Sequence, residues 1–237
     1  MDTFGVRGYG QYCPVARGAE VLGDRWTLLI VREMLHGVCR FNELERCLPG
    51  ISRSVLSQRL RHLQKVGLVV RDIDRRTVEY HLTPAGRDLR AVLQALGDWA
   101  VTWAFGDPDP SELDPDLVVR WISRHLARDR LPGRRVVVGF EVLGRPTRRY
   151  WLVIDADEVS ICRRDPGFPT DVSFRCDAQT LYRIYLGDLS LVRARRDGHL
   201  VMSGDATAVR QSAAWFTWST FAPAARTAAR RREEVTG

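Results

Sequence analysis

The sequence predicts an α+β protein of two domains: a small helical domain carrying one β-hairpin, then a twisted β-sheet covered by helices. Three observations carry this reading. Apolar residues recur at helical spacing through most of residues 1–105, and five short β-prone runs crowd into residues 134–204. Between them lies GDPDPSELDPD (106–116), where Pro108, Pro110 and Pro115 stand among acids with almost nothing to bury. Domains commonly run to roughly 100–150 residues, so a chain of 237 can hold two cores. The chain is therefore divided into a domain over 1–105, a linker over 106–116, a second domain over 117–225 and a flexible tail over 226–237.

Each element of the first domain has its own signals. Pro14 stands at a first-turn position and opens a helix over 14–23. Asp24 is placed to cap a second helix over 25–36, and residues 41–48 form a short third. Pro49 and Gly50 turn the chain into ISRSVLSQRLRHLQKVG (51–67). There Leu56, Leu60, Leu63 and Val66, with Val55 beside them, recur at steps of three and four and share one buried stripe. Ser52 suits the N-cap, and Gly67 the left-handed position after the last turn.

The opposite stripe of that helix holds Ser54, Ser57, Gln58, Arg61 and Lys65, with no acid among them. A solvated face usually mixes acids with bases, whereas these groups bond phosphates and base edges. Periodicity alone leaves both readings open. LVVRDI and TVEYHL then form a hairpin around Asp74, Arg75 and Arg76. Thr83 caps a long helix from Pro84, whose stripe of Leu89, Val92, Leu93, Leu96, Ala100, Trp103 and Ala104 is broad enough to face a partner or its own domain.

A short helix, a tight turn, a second helix and a hairpin make a winged helix-turn-helix, which lays its second helix in the major groove and its wing along the backbone or in the minor groove. On that geometry Arg53, Ser54, Ser57, Gln58 and Arg61 are candidates for the base groove, with Ser52 at their head. Lys65, Arg75, Arg76 and Arg40 are candidate phosphate contacts. The expected partner is double-stranded DNA.

The second domain opens with an amphipathic helix from Leu117 to Leu126. RRVVVGFEV, RYWLVIDAD, EVSICRR, DVSFRC and HLVMSG follow as five strands. Asp177 is placed to cap a helix that ends at Gly187, and Asp205 another that runs through Trp215, Phe216, Trp218 and Phe221. No apolar period continues into TAARRREEVTG.

Composition excludes several classes. A charged fraction of 27% and a hydrophobic fraction of 45% belong to a soluble globular protein, and no apolar run approaches the roughly 20 residues a membrane helix needs. MDTFGVRGYGQYCP lacks the pattern of a signal peptide, so the expected location is the cytoplasm. The net charge of +7 favours polyanions. Lys65 is the sole lysine, however, so arginine abundance is a habit of the whole chain. The scattered cysteines Cys13, Cys39, Cys47, Cys162 and Cys176 form no C-x-x-C pair, and His36, His62, His81, His125 and His199 stand apart. No metal, no cofactor and no enzyme chemistry is expected: there is no G-x-S-x-G, and Lys65 is outside any phosphate-loop context.

CPVARGAEVLGDRWTLLIVREMLHG, RFNELERCLPGISRSVLSQRLRHLQKVGLV and VEYHLTPAGR resemble the HxlR-type bacterial transcriptional regulators, over residues 9–105. The resemblance implies a homodimer built by the terminal helices on a partly palindromic operator. Arg75 and Arg76 depart from it, since the family's wing usually carries prolines and a basic residue there. It also draws attention to Cys13, because some relatives use a cysteine at the matching place as an oxidant or electrophile sensor. A thiol at a helix N-terminus can be activated, while a buried interface cysteine would be inert.

YWLVIDADEVSICRR, DVSFRCDAQTLYRIYLGDLSL and DGHLVMSGDATAV are similar to the sterol-carrier-protein lipid-binding domain, over about residues 110–225. That resemblance implies an apolar tunnel between sheet and helices, near which Trp121, Trp151, Phe174, Tyr182, Tyr185, Leu189, Trp215 and Trp218 would lie. The same aromatics could equally fill a solid core. The combined expectation is a dimeric DNA-binding regulator modulated by an apolar small ligand; the alternatives are a lipid carrier or interaction scaffold that reads no DNA, and a regulator that responds through Cys13.

Overall fold

The structure is a computed structural model and describes residues 8–74, 77–106 and 108–236. The chain forms two compact units, Met1–Ala95 and Leu96–Gly237.

In the first unit, α1 (Pro14–Leu22), α2 (Thr27–Leu35), α3 (Phe41–Cys47) and α4 (Arg53–Lys65) precede a hairpin of β1 (Val69–Asp74) and β2 (Thr77–Leu82), and α5 (Pro84–Trp103) follows. Ile30, Val31, Leu44, Leu56, Leu60 and Leu63 form its centre, each buried to within 1%. Helix α4 starts where Ser52 Oγ accepts from Val55 N–H, and it stops where Gly67 takes φ +75°. Thr83 does two jobs: its hydroxyl donates to Gly67 C=O at 2.7 Å and accepts from Gly86 N–H at 3.2 Å. The cap of α5 is thereby joined to the end of α4. The hairpin keeps register from Val69↔Leu82 to Asp74↔Thr77, and Cys39–Arg40 adds to its edge, with Tyr80 N–H donating to Cys39 C=O at 2.7 Å.

One capping expectation fails here. Helix α2 begins at Thr27 after Trp26, with no side-chain cap. Asp24 gives its carboxylate to Arg59 of α4 instead, because a guanidinium within reach is a stronger partner than a backbone amide.

In the second unit, α6 (Pro115–Arg124) leads into β3 (Val136–Leu143), β4 (Arg148–Ile154), β5 (Val159–Cys162) and β6 (Val172–Asp177). Then come α7 (Ala178–Leu186), α8 (Leu191–Arg196), β7 (Val201–Gly204), α9 (Ala206–Gln211) and α10 (Ala222–Thr236). The sheet order is β5-β4-β3-β6-β7, antiparallel except for the parallel β3–β6 pair. Alternation divides its two faces. Val138, Phe140, Tyr150, Leu152, Val172 and Phe174 point to the side covered by α6 and α7. Gly139, Glu141, Arg149, Trp151, Ser173 and Arg175 lie on the other. On the covered side Asp116 ties α6 to the sheet. It accepts from Tyr150 Oη–H at 2.6 Å, Arg163 at 2.5 Å and Arg148 at 3.2 Å. Burial pushes the Cys176 thiol beneath α7 up to about 12, so it stays protonated.

Several boundaries differ from the sequence expectation. Residues 106–116 are not a bare linker: Asp109 and Glu112 form a capping box on a 3₁₀ turn, and Asp114 caps α6 from Pro115. Helix α8, capped by Ser190, went unread because its six residues hold too few apolar positions to show a period. The helix after Asp205 stops at Gln211, and the aromatic segment follows as a turn and extended chain. Within the stretch read as a tail, residues 226–236 belong to α10, which is helical through Thr236. Ala225 and Ala228 bury against Val101 of α5, so small side chains carried a packing face with no strong hydropathy signal. Gly97 of α5 is required there, since a Cβ would sit 2.1 Å from the Phe221 ring. Among the described residues no helix is long and apolar enough to cross a membrane.

This packing sets the cost of three substitutions. Leu60→Ala should cost about 2–5 kcal/mol in urea unfolding, as a cavity in a fully buried site does, and Gly97→Ala about 1–3 kcal/mol through overpacking. Asp116→Ala should cost about 1–3 kcal/mol by stranding the buried Tyr150 hydroxyl, and Tyr150→Phe in the same chain should recover part of that loss in a double-mutant cycle.

Candidate nucleic-acid interface

The interface is built by default: the leucine stripe of α4 faces the core, so the rest of the helix faces out. Ser54, Gln58, Arg61 and Lys65 are exposed and Ser57 is half-buried, all along one stripe. Arg61 Nη1–H donates to Ser57 Oγ at 2.8 Å, which lays the guanidinium back along the helix by one turn. Ser52 Oγ is the N-cap acceptor and lies 3.0 Å from Ser54 Oγ. No acid occupies the first turn of α4, so none in that turn offsets the partial positive charge of the helix start.

Arg53 is placed differently from its expected base-groove role. It donates to Glu45 and, at 3.2 Å, to Asn42 Oδ1 of α3, and its guanidinium stands 4.9 Å from the centre of the Phe41 ring. These contacts brace α3 against α4 across the turn. Sequence spacing missed this because Glu45 and Arg53 meet only once Pro49 and Gly50 have folded the chain back. Arg40 is likewise engaged: its Nε–H donates to Glu79 of β2 at 3.0 Å, fastening the start of α3 to the wing. Lys65 is exposed at the last turn of α4. Arg75 and Arg76, the expected tip of the wing, lie outside the described residues. An exposed cation on the wing that sequence reasoning passed over is Arg71 of β1, opposite Tyr80. Its place in the alternation of VVRDID was the available signal.

Cys13 stands at the N-cap of α1 with extended backbone and a half-buried side chain. The eight candidates for an apolar tunnel divide among three settings. Phe174, Tyr185, Leu189 and Trp215 are buried in the core of the second unit, and Trp121 and Trp218 pack against it. The stacked Phe140 and Phe174 rings, 5.4 Å apart, and the edge-on Phe216 ring at 6.1 Å from Phe174 fill the space beneath the helices. Trp151 is on the uncovered face of the sheet. Tyr182 belongs to the core and also lines a cavity on the other side of α7.

The HxlR-like helix-turn-helix family model matches residues 21–107. The uncharacterized HTH-type transcriptional regulator YvaP of Bacillus subtilis is 40% identical over 108 residues, which are 44% of this chain and 96% of that protein. The uncharacterized HTH-type regulator Rv3095 of Mycobacterium tuberculosis is 51% identical over 88 residues, 36% of this chain; the match spans about half of that relative, 55%. The solved structure of the reduced form of the transcriptional regulator YodB from B. subtilis is 34% identical, with a TM-score of 0.36, covering 39% of this chain and 95% of that one. Both of these sequence relatives carry the description HTH-type transcriptional regulator. With a turn-braced helix pair, an acid-free outward stripe and a wing in the matching order, the chain belongs to the HxlR-type helix-turn-helix family of DNA-binding transcriptional regulators.

Proposed function

We propose that the chain acts as a homodimer on a partly palindromic operator, with α4 in the major groove and the hairpin as wing, and that the second unit senses a small molecule. The observation that carries the DNA part is the acid-free stripe of α4, held outward by the fully buried leucines opposite. Ser54, Ser57, Gln58 and Arg61 would meet base edges, while Lys65, Arg71, Arg75 and Arg76 would meet phosphates. Arg53 acts chiefly by keeping α3 and α4 at their angle, and Ser52 by capping α4.

Support for the dimer comes from α5, which leaves Val92, Leu96, Trp99 and Trp103 exposed. Their steps of four, three and four are the seam of a two-helix contact. Tryptophans 57% and 71% exposed on one stripe are unusual for a surface with no partner. A two-fold partner would place two copies of α4 about one helical turn of DNA apart, which calls for a palindromic site.

Footprinting on DNA upstream of the protein's own gene, at stated salt, supplies the operator. Arg61→Ala should then cost roughly 1–3 kcal/mol where it reads a guanine, and Arg76→Ala should weaken all sequences about equally and lower the salt slope by about one per half-site. Gln58→Ala and Arg53→Ala should both leave the melting temperature nearly unchanged, while Arg53→Ala weakens operator affinity through the α3–α4 angle. Undiminished operator binding by a Gln58→Ala, Arg61→Ala double variant would sink the assignment of α4. For the dimer, Trp99→Asp with Trp103→Asp should give monomers in sedimentation velocity and lose half-site cooperativity; a dimer that survives both changes rejects α5 as its seam.

A further inference from the structure

The second unit holds a cavity of about 340 Å³ on the side of α7 turned away from the sheet. Helix α7 explains its position. Leu181, Tyr182, Ile184 and Tyr185 are buried, and Gln179, Arg183 and Leu186, together with the edge of Tyr182, form one wall. The other walls are apolar: Val101 and Phe105 at the end of α5, Pro108 and Leu113 in the connecting segment, and Ala225 and Ala229 on α10. The alanines are what leave room, since leucine at either position would fill the space.

The polar wall is specific in kind. Arg183 Nε–H donates to Asp188 Oδ2 at 2.7 Å, so the one cation among the described residues of the wall is answered by an acid of the same rim. Tyr182 Oη–H donates to Asp114 C=O at 3.0 Å and keeps its lone pairs for a donor. Gln179 is exposed and supplies an amide with both donor and acceptor. The Tyr182 hydroxyl is a neutral group at neutral pH, and burial raises its pKa further above the usual tyrosine range. The volume falls within the roughly 300–1,000 Å³ of small-molecule sites, most of which combine apolar walls with a few convergent polar groups.

We propose that this cavity is a binding site for a small, neutral, planar aromatic molecule bearing one hydrogen-bonding group of the phenol type. The ring would lie against Val101, Phe105 and the α10 alanines, and its hydroxyl would meet Gln179 and Tyr182. The charge balance of Arg183 with Asp188 selects against an anion. This locates the sensing role proposed above for the second unit and rests on that reading only for its regulatory meaning, since occupancy is measured without DNA.

The test uses the full chain and 1-naphthol as probe, read by calorimetry. We expect one site per chain with a Kd on the order of 10–100 μM. Ala229→Phe, which fills the cavity, should weaken binding at least tenfold, and Gln179→Leu about fivefold, the loss of roughly one hydrogen bond. Gln179 is exposed, so its variant keeps the fold even where the alanine change does not; melting curves check both. Naphthalene should bind about fivefold more weakly than 1-naphthol, and 1-naphthalenesulfonate no more tightly. The Gln58→Ala, Arg61→Ala chain should bind 1-naphthol as the parent does, which separates failure of this site from failure of DNA reading. Absence of saturable 1-naphthol binding, equal affinity in folded Ala229→Phe and Gln179→Leu proteins, or tighter binding of the sulfonate would each overturn the proposal.

Discussion

The burial of Leu56, Leu60 and Leu63 along one side of α4 is the constraint on which the DNA-binding unit depends. A helix has only one angular freedom once its axis is fixed, and three leucines without solvent contact remove it. Each would contribute about 1.5–3 kcal/mol by burial, so a rotation of the helix by even one residue is prohibitive. The polar stripe is therefore presented by the core and needs no interaction of its own to hold it out. Two ion pairs then set the axis: Arg53 to Glu45 fastens α4 to α3, and Arg59 to Asp24 fastens it to the turn before α2. Both lie at partly exposed positions, where a pair adds little to stability. Their effect is on angle more than on free energy, and groove fit is decided by angle.

The second unit follows a different logic. Its sheet is covered on one side, and the interior beneath α6 and α7 is packed with stacked and edge-on aromatic rings. Side chains that would make a tunnel wall in an open structure are the core in this one. Trp121 stacks on Tyr185, and Trp215 is buried to 1%. Open space lies behind α7, where α10 presents alanines and the α7 stripe turns polar. Asp116 and Asp171 do comparable work at two ends of the sheet. Asp171 accepts from Val137 N–H at 2.8 Å and from Arg134 at 2.7 Å, joining the segment before β6 to the start of β3. Carboxylates that bond backbone and guanidinium together fix loops that apolar contacts cannot reach.

Most of what the sequence alone determined about this protein comes from local rules. The period of ISRSVLSQRLRHLQKVG located α4, its buried side and its outward polar side, because helical spacing assigns a face without reference to any partner. Ser52, Thr83, Asp177, Gly67 and Gly187 marked helix ends, because caps are satisfied within a few residues. All five strands of the second unit showed in β-prone runs for the same reason. Tertiary structure decided the rest. Arg53 and Glu45, Arg40 and Glu79, and Arg59 and Asp24 are distant in sequence, so their pairing appears only after turns have closed. Helix α10 packs through alanines, which carry little hydropathy, and so read as a tail. Whether an aromatic fills a core or lines a cavity depends on what stands opposite it, and that is a property of packed neighbours, which no spacing along one strand or helix encodes.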